Sequence, residues 1–396
     1  MRFPEFDGEW EKYNVSDILN TFPTNSLSWD NLSYKCGKTK NIHYGLIHNG
    51  FDTTCVYTTN KIIPFIKDVN FPLKHTLLKT GDLILADASE NRKDVGRSIE
   101  IINDISESII SGLHTIHARD KSNRAVLGFK GFYFQSKSMK LQIYRIANGS
   151  KIYGISPSNF KELHICLPNH LEQEKIVGLL RKIEDRIQTQ IKIINDLEAQ
   201  RKYIINRLLN KLNNNKFIQL SDILEEYSER TSSNNEFPVL SSTTSGLFFQ
   251  TEYFNKDASS SDTTGYRIIP KGYCTYRSMS DTGHFTFNQQ NIIDIGIISP
   301  AYPVFYSKKY MNEFIILYLN NSQDIKKQIL ELKTGGTRFA LSFKTLISFK
   351  IPKVDTLTQK KTLKIINSIS EKIDNENNIY NYLIKEKSYL LNNMFI

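Results

Sequence analysis

The residues best suited to chemistry in this sequence are cations set among hydrogen-bonding side chains, beginning with YKCGKTKNIHYG at 34–45. Its Gly37-Lys38-Thr39 repeats the end of a phosphate-binding loop, in which backbone N–H groups and a lysine cradle phosphates. Such a loop needs a glycine five residues before Gly37, and Leu32 stands there, so nucleotide binding is not the reading. SPAY at 299–302 is laid out like the Asn/Asp-Pro-Pro-Tyr/Phe of adenine methyltransferases. It lacks the Asn or Asp that would bond the target amine, and no Gly-rich cofactor loop accompanies it. His114 and His117 in GLHTIHAR are three apart, which on a strand sends them to opposite faces and argues against a shared metal. Their plain reading is as surface or partly buried polar groups. Carboxylates are plentiful, but no pattern selects a pair for acid and base work.

What remains is a set of basic and polar loop residues. In the first part of the chain they are Lys35, Lys38, Lys40, His43 and Tyr44, then Arg92, Lys93 and Arg97, then His114, His117 and Arg119 with Lys121 beyond. In the second part they are Ser241, Ser242, Thr243 and Thr244 of LSSTTSG, Arg277, Ser278 and His284 of YRSMSDTGHF, and Arg338 beside Gly335 and Gly336. Arg and Lys grip phosphates or read guanine edges, while Ser, Thr and His bond bases or phosphates. For any one of them alone, a solvated loop charge is the simpler account.

Composition points the same way. Among 396 residues, 51 Lys and Arg exceed 41 Asp and Glu, a net charge of +10 that favours a polyanionic partner. With 40% hydrophobic residues the chain can bury real cores in two or three domains. Four dispersed cysteines suggest neither a disulfide framework nor a zinc site and fit a reducing cytoplasm. The start, MRFPEFDGEW, is acidic and aromatic, and no apolar run is long enough to span a bilayer, so a soluble intracellular protein is expected.

The elements that must position these loops come in two copies. VSDIL at 15–19 returns as LSDIL at 220–224, an offset of 205. IYRIANGSKIYGIS (143–156) lies over ILELKTGGTRFALS (329–342) at an offset of 186, pairing Ile143 with Ile329, Gly149 with Gly335 and Ser156 with Ser342. At the same offset 173–209 lies over 359–395, with Gln173/Gln359, Ile183/Ile369, Ile187/Ile373, Leu197/Leu383 and Tyr203/Tyr389 identical. Each copy is a block of mixed strands and helices followed by a long helix. Short apolar runs broken by Gly, Asn and Pro predict an α+β block over 1–167, with GDLILAD, GLHTIHA and AVLGFKGFYF among its runs. A second block over 217–352 carries strands in GYCTYRS, IIDIGIISP and PVFYS and one amphipathic helix in MNEFIILYLNNSQDIKKQIL.

Over 168–213 and 356–396 the apolar spacing changes to threes, fours and sevens, a narrow stripe suited to pairing with another helix. Asn169 with Glu172 starts the first helix, and Thr356 with Gln359 reads as a capping box for the second. Antiparallel pairing of the two is expected, with a pseudo-twofold relation between the halves. The fold class expected is therefore α+β, two globular blocks separated by a long antiparallel coiled coil, a dumbbell with related but non-identical heads.

At the repeated join the sequence resembles a known family. ISPSNFKELHICLPNHLEQEKIVGLLRKIEDRI is similar to the central region of type I restriction-modification specificity subunits, where a strand ending in Leu/Ile-Pro leads through a Glu-Gln cap into a long helix. The second copy, LSFKTLISFKIPKVDTLTQKKTLKIINSISEKI, keeps Gln359 without the preceding Glu. NIHYGLIHNGF and SGLHTIHAR resemble one subtype of target-recognition domain in that family, and YRSMSDTGHF with GIISPAYPVF another. The resemblance implies a chain with no catalytic site, cofactor or metal of its own. Each target-recognition domain would read one half of a bipartite site in double-stranded DNA, through the polar loop residues named above. The helices would set the separation and dock two methyltransferase (M) subunits, which carry S-adenosylmethionine and methylate adenine N6, with restriction (R) subunits as a further partner. No membrane partner is expected, and a cytoplasmic location is. The competing readings are a structural coiled-coil adaptor and a DNA-modifying enzyme with an unrecognised site.

Overall fold

The computed structural model describes all residues except 52, 59–62, 69, 72–74, 213–214, 254–261, 332–337 and 396. Asn213, the expected end of the first helix, and Gly335 and Gly336 beside Arg338 lie outside the described residues. The chain forms two compact units, Met1–Ile193 with Glu376–Ile396, and Ile194–Asn375.

In the first unit a five-stranded sheet runs in the order Leu19–Phe22, Thr115–Asp120, Leu83–Ala86, Ser98–Ile101, Cys55–Val56. Leu83–Ala86 and Ser98–Ile101 are buried along their whole length, as strands covered on both faces must be. A four-stranded sheet of Ile109–Ser111, Lys40–Ile42, Phe65–Ile66 and Leu32–Ser33 carries the first basic loop. Strand Glu11–Asn14 pairs antiparallel with His164–Leu167, and a long helix, His170–Leu212, follows at once. Phe129, Phe132, Phe134 and Phe160 form one core with Ile176, Leu180 and Ile183 of this helix and Leu383, Leu390 and Met394 of the last one. The run AVLGFKGFYF ends as a helix, Phe129–Gln135, because its aromatic residues face the core together with the turn that follows. Within this unit the two long helices run antiparallel: Glu184 meets Lys387 at 2.6 Å, and Gln190 Nε2 reaches the Glu376 carbonyl at 3.0 Å.

In the second unit Leu224–Glu226, Val304–Ser307, Cys274–Tyr276 and Phe287–Gln289 form a four-stranded antiparallel sheet. Phe217–Gln219 pairs antiparallel with Lys350–Pro352, as the first unit's opening strand pairs with its last. The helix Thr356–Asn393 follows. Tyr276, Phe287, Phe305 and Phe314 pack with Ile205 and Leu209 of the first long helix and Leu363 and Ile366 of the second.

Two expectations change in detail. The helix expected over MNEFIILYLNNSQDIKKQIL is two helices, Asn312–Asn321 and Gln323–Leu330. Ser322 stands extended between them, and its side chain accepts the Asp324 N–H, so it starts a new helix. The second long helix is capped by Asp355, whose Oδ1 accepts the Thr358 N–H at 2.9 Å, and Thr356 is already helical. Asn169 caps the first as expected, accepting the Glu172 N–H at 2.9 Å.

The duplication is visible bond by bond. Gln142 exchanges two hydrogen bonds with the His164 backbone at 3.0 and 2.9 Å, and Gln328 does the same with Lys350 at 3.0 and 2.8 Å. Ser156 caps the Asn159 N–H, and Ser342 the Thr345 N–H. Buried Gln173 accepts the Val126 N–H at 2.8 Å and donates to Pro168 O; buried Gln359 accepts the Met311 N–H at 2.9 Å and donates to Val354 O. All but the outer partners of the two glutamines keep the offset of 186, whereas the opening strands keep 205. The change of offset therefore falls between residues 19 and 142, in the strands and loops that hold the candidate site residues. No helix among the described residues is long and apolar enough to cross a membrane.

Candidate DNA-recognition surface

The second unit gathers its candidates. The hairpin Leu240–Thr243 with Gly246–Phe249 carries the Ser and Thr row, the strand Cys274–Tyr276 delivers Arg277, and the turn after Met279–Ser280 delivers His284. That turn is built by Gly283, whose φ of +77° suits glycine, with the Phe339 ring 3.0 Å from where a Cβ would stand. Ser242, Thr243, Thr244, Arg277, His284 and Arg338 line one depression of about 290 Å³. Ser241 and Arg277 line an adjoining one of about 470 Å³ that shares the same hydroxyl row. Asn288 donates to Ser242 Oγ and to the Thr243 carbonyl, both at 2.9 Å, and so fixes the row. Arg338 meets Asp281 at 2.8 Å with both side chains largely exposed. Ser278 is turned inward to the Ala301 carbonyl at 2.9 Å.

In the first unit the fold uses several candidates itself. His117 is a correction: it is fully buried, with Nε2 2.8 Å from Asp82 Oδ2, and presents nothing to a ligand. Arg119 holds the same carboxylate through Nε at 2.6 Å and lies over the Phe22 ring. Burial would raise the Asp82 carboxyl, but the hydrogen bonds from Arg119 and His117 outweigh it and hold it below its usual range. His43 is also buried; its Nδ1 accepts the Gly45 N–H at 3.2 Å and caps the helix Tyr44–Asn49. Burial, then the neighbouring His114, lower the His43 ring to about 4. Arg97 closes the other end of that helix, donating to the His48 carbonyl at 2.7 Å. Arg92 donates to the Tyr144 carbonyl at 2.8 Å, and Lys40 pairs with Glu107 at 2.5 Å.

Lys35, Lys38 and Lys93 are exposed. His114 is half exposed, beside Asp87 at 3.2 Å, with Tyr44 edge-on to it at 5.3 Å. It sits just before the strand at a φ of +54°, not on it, so the alternation argument placed only His117. Lys93 and Arg97 line a separate depression with Lys140 and Lys387. The first unit thus presents Lys35, Lys38, Tyr44, Lys93 and His114, and keeps the rest for its own support.

Sequence reasoning missed Trp29 and Asn288. Trp29 is 42% exposed and stacks 4.5 Å from His43; its indole in a polar loop was the available signal. Asn288 between Phe287 and Gln289 had the alternation of a half-buried strand, but nothing local names Ser242 as its partner. The four cysteines are free, and no group of three or more metal-ligating side chains occurs among the described residues.

Residues 7–199 match the family model described as "Type I restriction modification DNA specificity domain". No curated protein sequence matches the chain. The fold is similar to a type I restriction-modification system S subunit from M. genitalium, with a TM-score of 0.52 and 16% identity over 100% of this chain and 99% of that one. It is also similar to a chain from a structure described as the "structural basis underlying complex assembly and conformational transition of the type I R-M system". There the TM-score is 0.61, with 12% identity over 98% of this chain and 97% of that one. Specificity subunits are the non-catalytic DNA-recognition members of their complexes. Residues 7–199 thus belong to the type I restriction-modification DNA specificity domain family, and the fold along the whole chain is similar to that of such S subunits.

Proposed function

We propose that this chain reads a bipartite site in double-stranded DNA, one half-site for each block, 1–167 and 217–352. The observation that carries the reading is a duplicated frame holding two unlike inserts. The Gln142/Gln328, Ser156/Ser342 and Gln173/Gln359 bonds repeat, while the inserts differ in length, strand order and exposed side chains. Two readers of one sequence would need no such divergence. The second insert presents hydroxyls with Arg277 and His284; the first presents lysines with Tyr44 and His114.

The helical segments 168–213 and 356–396 dock two methyltransferase (M) subunits. Exposed apolar side chains recur at repeat-equivalent places: Leu171 and Leu357 are 70% and 61% exposed, and Tyr203 and Tyr389 are 63% and 55% exposed. Isolated exposed leucines are ordinary, but the same ones exposed twice fit two copies of one partner. S-adenosylmethionine and the transfer to adenine N6 belong to those subunits, with none in this chain, and restriction (R) subunits complete the complex. That role places the protein in the cytoplasm.

The test is to assemble the chain with its methyltransferase and map methylated motifs for two variants, Lys35→Ala/Lys38→Ala and His284→Ala. The reading expects altered stringency in different half-sites. Effects of both variants on the same half-site would overturn it.

A further inference from the structure

We infer that Arg277 reads a guanine through the major groove, so that the half-site of the second block contains a G·C pair at the position Arg277 faces. This rests on the reading of the second block as a DNA reader and names what it recognises. The second block, 217–352, has four arginines, and the fold occupies three of them. Arg230 donates to the Gly265 carbonyl at 2.8 Å, Arg267 pairs with Glu226 at 2.7 Å, and Arg338 pairs with Asp281 at 2.8 Å. Arg277 is exposed and has no hydrogen bond or ion pair among the described residues, so its five donors are unspent.

Its backbone, by contrast, is held on both sides. Tyr276 before it is fully buried in the central part of the sheet. Ser278 after it bonds through its hydroxyl to Ala301 O, and its carbonyl accepts the Leu341 N–H at 2.9 Å. A cation on a fixed root can aim at one base, whereas a phosphate contact needs no such precision.

The surroundings favour a base edge as well. Arg277 lies where the two depressions meet, opposite the hydroxyl row. Ser242 Oγ accepts from Asn288, which leaves its own proton to donate beside the guanidinium. The exposed Asp281 carboxylate, paired with Arg338, lines the same depression and keeps lone pairs that can accept from a base amine. Two adjacent donors from one guanidinium match guanine O6 and N7, the pairing for which arginine is suited among side chains.

The test uses the full chain assembled with its methyltransferase partner on duplexes carrying the methylated motif. At each G·C pair of the second block's half-site, guanine is replaced in turn by 7-deazaguanine, which lacks the N7 acceptor. The native complex should lose affinity at one position by about tenfold or more, the scale of a good base contact. The Arg277→Ala complex should be indifferent to that replacement and should accept other base pairs there. Arg277→Lys keeps the charge and should restore overall affinity more than discrimination.

A loss of affinity in Arg277→Ala that is uniform over all sequences, with a salt dependence reduced by about one phosphate, would make Arg277 a backbone contact and overturn the inference while leaving the DNA reading intact. Unchanged affinity and motif in Arg277→Ala, with His284→Ala also silent, would instead remove the second block as a DNA reader.

Discussion

Lys387→Met tests how the first block is fastened to both long helices. Lys387 Nζ lies 2.6 Å from Glu184 Oε1 and 3.5 Å from Thr54 Oγ1. Glu184 also accepts the backbone N–H of Thr54 at 2.7 Å and of Cys55 at 3.4 Å. The lysine and glutamate side chains are 17% and 5% exposed, so the carboxylate stays buried when its cation goes. Methionine keeps the length of the lysine stem and lacks only the terminal ammonium group, so little cavity opens and the main loss is the counter-charge. Removing one partner of a buried pair costs about 3–5 kcal/mol, and the partial exposure of Lys387 places this case near the lower figure.

Glu184→Gln in the same chain should recover at least about 1 kcal/mol of that loss, because the amide oxygen still accepts from Thr54 and carries no charge. The contact lies inside one unit, so denaturant unfolding should be read with hydrogen exchange at the Thr54 and Cys55 amides, which report that unit locally. Lys387→Met within about 0.5 kcal/mol of the native chain, with both amides equally protected, would refute the reasoning.

Two further outcomes follow from the same geometry. The His43 ring is lowered from 6.5 to about 4, so as pH falls the unfolded chain takes the proton first. The stability this contributes is present above about 6.5 and is lost as pH falls towards 4, by no more than about 3 kcal/mol. His43→Asn, which keeps an acceptor for the Gly45 N–H, should flatten that dependence in urea titrations at the two ends of the range. Leu171→Ala and Leu357→Ala should leave unfolding unchanged, while each weakens methyltransferase binding by about tenfold in titrations of the purified components. Equal binding in both variants would remove these leucines from the docking surface.

The elements visible in the sequence are those with long regular patterns. The stripe through Ile176, Leu180, Ile183 and Ile187 marked a helix, and each of these residues is buried. The repeat was legible because its frame keeps residues that make specific bonds: Gln173 and Gln359 persist because each satisfies backbone groups at the foot of a helix. What stayed hidden depends on partners far along the chain. His117 and Arg119 stood among the binding candidates because Asp82, which holds both, lies 35 residues before His117. Arg97 and His43 cap opposite ends of one short helix, which no local pattern announces. In the sequence the hydroxyl row, Arg277 and His284 are separate loops of one block, and it is the sheet that brings them to one depression. Capping was half legible: Asn169 was placed, whereas Asp355 was passed over for the Thr356 beside it.

The most direct test of the central claim, two blocks reading two half-sites, is a base-resolution map of adenine methylation in cells with and without this chain. The account predicts that one motif loses methylation when the chain is removed, and that the motif consists of two short defined sequences separated by a fixed run of unspecified bases. An unchanged map, or the loss of a single uninterrupted motif, would contradict it.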